Sequence, residues 1–83
     1  MKMLKIYSIR DEAAEFFIQP FLANADAQAI RMFIGSLGDS FPHRSDFNLF
    51  FCGSFDTETG VIEACPPKII LAGLSVADEL DPR

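Results

Sequence analysis

Eighty-three residues make one domain, and a chain this short buries only about 60 to 65% of the surface its unfolded form exposes, so its stability is marginal. It is 49% hydrophobic with nine Phe and no Trp, more apolar mass than one small core covers, which predicts a homo-oligomer, a dimer in the simplest case. The formal charge is −5, and without residues 78 to 83 six basic groups still face nine acidic ones; this excludes sequence-independent phosphate binding by a broadly basic surface, though not by a local basic strip.

Met3 to Ile9 (MLKIYSI) reads as a strand with Leu4 and Ile6 on the core side and Lys5, Tyr7 and Ile9 on the other. After a polar break at residues 10–13, Glu15 to Gln19 (EFFIQ) reads as a returning strand with Phe16 and Ile18 on one face, stopped by Pro20; a helix from Asp11 to Ile18 is the competing reading. Asn24-Ala25-Asp26 is an N-cap signal, and the stripe Ile30, Phe33, Ile34 and Leu37 predicts one helix near 25 to 37, with Gly38 suited to its C-terminal cap and Arg31 turned to solvent. Residues 39–46 (DSFPHRSD) form a loop by composition. They hold the single histidine, His43, but Ser, His and Asp close in sequence do not make a triad, whose members are brought together by a fold.

Phe47 to Cys65 reads as a long β-hairpin around the turn Asp56 to Gly60. If Asp56 pairs with Val61, then Phe55 faces Ile62, Gly53 faces Ala64 and Cys52 faces Cys65; Phe47, Leu49, Phe51 and Phe55 point to the core and Asn48, Phe50, Cys52 and Ser54 away from it. A one-residue bulge near Gly53 would shift this register. Pro66-Pro67 ends the second limb, Lys68 to Ala72 is a further short strand, residues 74–80 give one helical turn, and the acidic end 78–83 frays. The fold class is α+β: a small antiparallel sheet in β-β-α-β-β order with one main helix on one face, in a single domain 1–83.

Two cysteines without CxxC or HxxxH spacing predict neither a disulfide scaffold nor a zinc site, and the pair reads as two small buried hydrophobes rather than a bridge. No signal peptide opens the chain and no apolar run reaches the roughly 18 to 20 residues of a membrane helix, which predicts a cytoplasmic protein with no membrane contact.

Taken as an ordered set, Leu4-Lys5-Ile6-Tyr7-Ser8-Ile9 with Asp11, then Pro20-Phe21, Ala29-Ile30-Arg31 with Phe33, Asp46-Phe47 with Leu49-Phe50, and Gly53-x-Phe55-Asp56-x-x-Thr59-Gly60 resembles the small nonstructural protein of gokushovirus-like microviruses, icosahedral phages with single-stranded DNA genomes. The resemblance implies an accessory in viral DNA replication or single-stranded genome synthesis, acting in the host cell cytoplasm. It supplies no catalytic residue.

Two functions follow as expectations. In the first the protein binds single-stranded DNA, with Lys5, Tyr7 and Phe50 as an aromatic and basic platform and Lys2, Arg10 and Arg44 at its rim. In the second Tyr7 and Phe50 are covered by another subunit, and the chain is a dimeric interaction module for a viral or host replication or assembly protein, with no nucleic-acid contact. An enzyme is the third and weakest reading, since no metal spacing, phosphate-binding glycine loop or nucleophile elbow accompanies the carboxylates, and no cofactor is expected.

Overall fold

The computed structural model describes residues 3–37 and 43–73. Strands β1 (Met3–Asp11), β2 (Phe16–Phe17) and β3 (Phe21–Ala23) precede helix α1 (Asp26–Leu37), and a 3-10 turn (His43–Asp46) leads into β4 (Phe47–Asp56) and β5 (Ile62–Ala72). All pairings are antiparallel: β1 and β4 lie in the centre, β5 flanks β4, and β2 and β3 share the outer edge of β1. The α+β class stands, but the order is β-β-β-α-β-β. Pro20 interrupts the returning strand, and the chain resumes pairing where Phe21 meets Tyr7, adding a strand that the sequence pattern did not reveal.

Helix α1 forms where the stripe placed it. The side chain of Gln28 reaches back to accept from the Asn24 backbone N–H at 2.6 Å, satisfying a donor ahead of the first turn. Ala29, Phe33 and Leu37 are buried against the sheet, Ile30 and Ile34 pack beside them, and Arg31 is exposed. Gly38, the predicted cap, lies outside the described residues, as do the predicted turn at 74–80 and the acidic tail.

The faces of β1 are the reverse of the expectation. Tyr7 and Ile9 are buried in the core with Ala23 and Leu49, whereas Leu4 and Ile6 belong to the opposite side. Both faces of β1 are apolar enough to be core, so alternation alone could not choose between them. The Tyr7 hydroxyl tips the choice by donating to Asp26 Oδ1 at the start of α1, which lets the whole ring leave water with its polar end satisfied. The ring stacks on Phe21 at 5.9 Å and meets Phe51 edge-on at 5.7 Å.

This burial has a consequence for pH. Desolvation first, and the Asp26 hydrogen bond second, push the Tyr7 phenol well above its ordinary 10.0. In the unfolded chain it ionises near that ordinary value, so the contribution of Tyr7 to stability is complete below about pH 10 and is lost as the pH rises above it. Tyr7 is the chain's single tyrosine. Alkaline titration followed by phenolate absorbance should therefore coincide with loss of circular dichroism; a phenolate appearing near its ordinary value in a folded protein would contradict the burial.

The hairpin keeps the predicted register near its turn. Asp56 N–H donates to Val61 O at 2.9 Å, Phe55 pairs with Ile62 and Gly53 with Ala64. Further along, three irregularities break it, one of them the extra residue Ile70 between the pairs Leu49–Leu71 and Phe50–Ile69. Against β1, Tyr7 pairs with Phe51 but Ile6 with Gly53, so Cys52 is an extra residue that bulges β4. Phe47, Leu49 and Phe51 therefore face the helix as predicted, while Phe55, beyond the bulge, turns to the opposite face with Leu4 and Ile62. Against β5, the pairs Gly53–Ala64 and Phe51–Lys68 enclose one residue of β4 and three of β5, so Cys52 does not pair directly with Cys65. Pro66-Pro67 does not end the strand. On the sheet's outer edge within a bulge, both prolines escape the need to donate to a ladder, and β5 runs through them to Ala72.

Candidate functional site on the open sheet face

The described helix covers one side of the sheet, and the other side carries the remaining apolar mass. Ile6 pairs with Leu22 on β3 and with Gly53 on β4, and Phe55 with Ile62, so these side chains share the face away from α1. Ile6, Pro20, Leu22, Phe55 and Ile62 line one end of a trough that continues past Ser8, Phe17, Cys52, Ala64 and Pro67. Its rims stand out into water, with Ile62 61% and Leu22 43% exposed, and Ile69, paired with Phe50 on the same face, is 57% exposed. Within the trough the Ser8 hydroxyl is satisfied by donating to Ile18 O at 2.7 Å, which leaves the floor effectively apolar.

Among the described residues charge appears at the far end. Arg10 lies with its guanidinium carbon 5.3 Å from the Phe17 ring centroid, and Phe17 in turn meets Phe50 edge-on at 5.3 Å. Arg10 Nε donates to Glu12 Oε1 at 2.8 Å, and Asn48 Nδ2 donates to Glu12 Oε2 at the same distance. These two donors hold the Glu12 carboxyl below its ordinary range, and they tie Arg10 to a counter-charge on the rim. The tight turn that brings Glu12 there is fixed by Asp11, whose Oδ1 accepts from the N–H groups of Ala13 and Ala14 at 3.1 Å.

The predicted platform divides between the two faces. Tyr7 is in the core, where no base can stack on it. Lys5 lies on the helix side, 3.9 Å from Asp26, and Phe50 lies on the open side. Lys5, Tyr7 and Phe50 thus do not form one strip, because the hydroxyl of Tyr7 finds its partner beneath the helix. Arg10 does lie near Phe50 at the rim, through Phe17. Lys2 and the Arg44 side chain lie outside the described residues. Phe17 was missed as a site residue, although a four-residue turn between β1 and β2 sets it opposite Arg10.

Cys52 and Cys65 are free and half-buried. Burial, then the neighbouring Cys65, pushes the Cys52 thiol upward, which disfavours the reactive thiolate at neutral pH. Among the described residues no group of three His, Cys, Asp or Glu side chains is placed to hold a metal ion, and no helix is long and apolar enough to cross a membrane.

Among the described residues these features define a small α+β domain, its sheet covered by a helix on one side and open and apolar on the other. A family model described as Phage ORF5 protein matches residues 4–76, and the chain belongs to that family. It is a phage protein. No curated protein and no solved structure matches it.

Proposed function

We propose that this phage protein is a non-catalytic accessory of viral DNA replication or single-stranded genome synthesis, and that it acts by protein contact through the open sheet face. The observation that carries this reading is the trough between β3 and β5, whose exposed rims are apolar and whose described cation, Arg10, is tied to Glu12. Apolar surface of this extent at a protein's exterior marks a contact site. The replication role rests on the resemblance to the small nonstructural protein of gokushovirus-like microviruses; the family match supports a phage accessory protein.

Arg10, Phe17 and Phe50 favour a second reading, in which single-stranded DNA stacks at the charged end of the same face. Titration of a labelled oligothymidine at low and moderate salt separates the two. The protein-contact reading expects no binding even at low salt. If binding does occur, the second reading replaces it and makes its own demand. Phe17→Ala should then weaken binding at every salt concentration, by about 1 to 3 kcal/mol per lost base stack, while Arg10→Ala should lower the salt slope by roughly 0.7.

A further inference from the structure

We propose that the occupant of the open face is a second copy of this chain, packed face to face in a two-fold dimer. The inference rests on the protein-contact reading above and names the partner. Three observations select it.

The first is the distribution of charge. The chain carries −5, so two copies repel each other across most of their surfaces. Among the described residues no acidic side chain lines the trough, and at its end Glu12 is neutralised by Arg10. This face can therefore meet its own copy without like-charge repulsion. A two-fold contact requires such self-complementarity, because the same patch serves both partners. A strongly charged partner would find little here to pair with.

The second is size. Strands β1, β4 and β5 are 9, 10 and 11 residues long. At a strand spacing of about 4.8 Å and a rise of about 3.3 Å per residue, three strands project on the order of 500 Å². Once β3 and the relief of the side chains are added, the face comes within reach of the roughly 800 Å² per partner of a standard interface. Relief is present in both senses, since Ile62 and Leu22 project on either side of the hollow over Ile6.

The third is what the sheet edge prevents. The outer edge of β5 would otherwise invite edge-to-edge pairing of two sheets, but Pro66 and Pro67 sit near its middle with no N–H to donate. The two prolines thus count against edge pairing along β5 and favour contact through its face.

Sedimentation of the full-length chain at micromolar concentration tests this. The parent should run at twice the chain mass. Ile62→Asp and Leu22→Asp, on opposite walls of the trough, should each weaken dimerisation roughly tenfold or more. Both sites are exposed in the single chain, so circular dichroism should be unchanged. Ala27→Asp, exposed in the first turn of α1 where a carboxylate is favourable, should leave the dimer intact. A parent at monomer mass throughout, or a dimer that both trough variants leave unchanged, would overturn the second copy as occupant. In that event the yield of phage carrying Ile62→Asp judges the protein-contact reading separately: a lost yield keeps the face as a surface for a different protein, and an unchanged yield removes that reading as well.

Discussion

Gly53→Ala should lower the melting midpoint by about 8 °C or more. Gly53 is buried with φ near +150°, a backbone conformation that L side chains rarely adopt, and an alanine Cβ there would lie 2.3 Å from the Glu63 carbonyl oxygen and 3.0 Å from Ala64 Cα. The obstructing atoms are backbone, so no side chain can swing away. Conformational strain of about 1 to 3 kcal/mol and overpacking of about 1 to 3 kcal/mol act together. The sum, about 2 to 6 kcal/mol, is about half the stability of a domain this size, roughly 4 to 12 kcal/mol at the usual value per residue. Thermal melting checks it, and an unchanged midpoint would show that β5 does not cross β4 this closely. The substitution bears on function too, because the adjacent bulge turns Phe55 from the helix side to the trough.

Phe33→Ala should cost roughly 3 to 5 kcal/mol, the usual penalty for emptying a core phenylalanine site. Phe33 is fully buried between Ala29 and Leu37 and is the largest side chain that α1 places in the core. In a domain of this length each kcal/mol lowers the melting midpoint by about 4 to 8 °C, so a fall of some 12 °C or more is expected. A variant melting with the parent would mean that α1 does not seal the sheet. Substitution on the open face should behave differently, since Ile62 and Leu22 are already wet in the single chain.

The two substitutions also mark what could be read from the sequence. Phe33 was legible because a stripe at helical spacing between an N-cap and a glycine has one reading. The hairpin was legible near its turn because the Asp56 side chain, accepting from the N–H groups of Glu58 and Thr59, fixes the loop and hence the pairs beside it. Farther from the turn, register depends on bulges at Cys52, at Cys65 to Pro67 and at Ile70, which have no local signature beyond a glycine and two prolines. The orientation of β1 was not legible at all. It is decided by a hydrogen bond between residues 19 apart, Tyr7 and Asp26, and that bond moved Tyr7 from the predicted platform into the core. Phe50 was placed correctly on the side away from the helix, and its neighbour Phe17 became visible only once β2 was paired with β1.

That the open face is the protein's working surface can be tested most directly in infection, by comparing progeny yield from phage carrying Leu22→Asp with yield from phage carrying Ala27→Asp. Both substitutions place one carboxylate at an exposed position, the first on the trough wall and the second on the outer side of α1. The account predicts that Leu22→Asp sharply reduces the yield of single-stranded genomes at normal protein abundance while Ala27→Asp leaves it at the parental level. Equal yields, or a loss confined to Ala27→Asp, would contradict it.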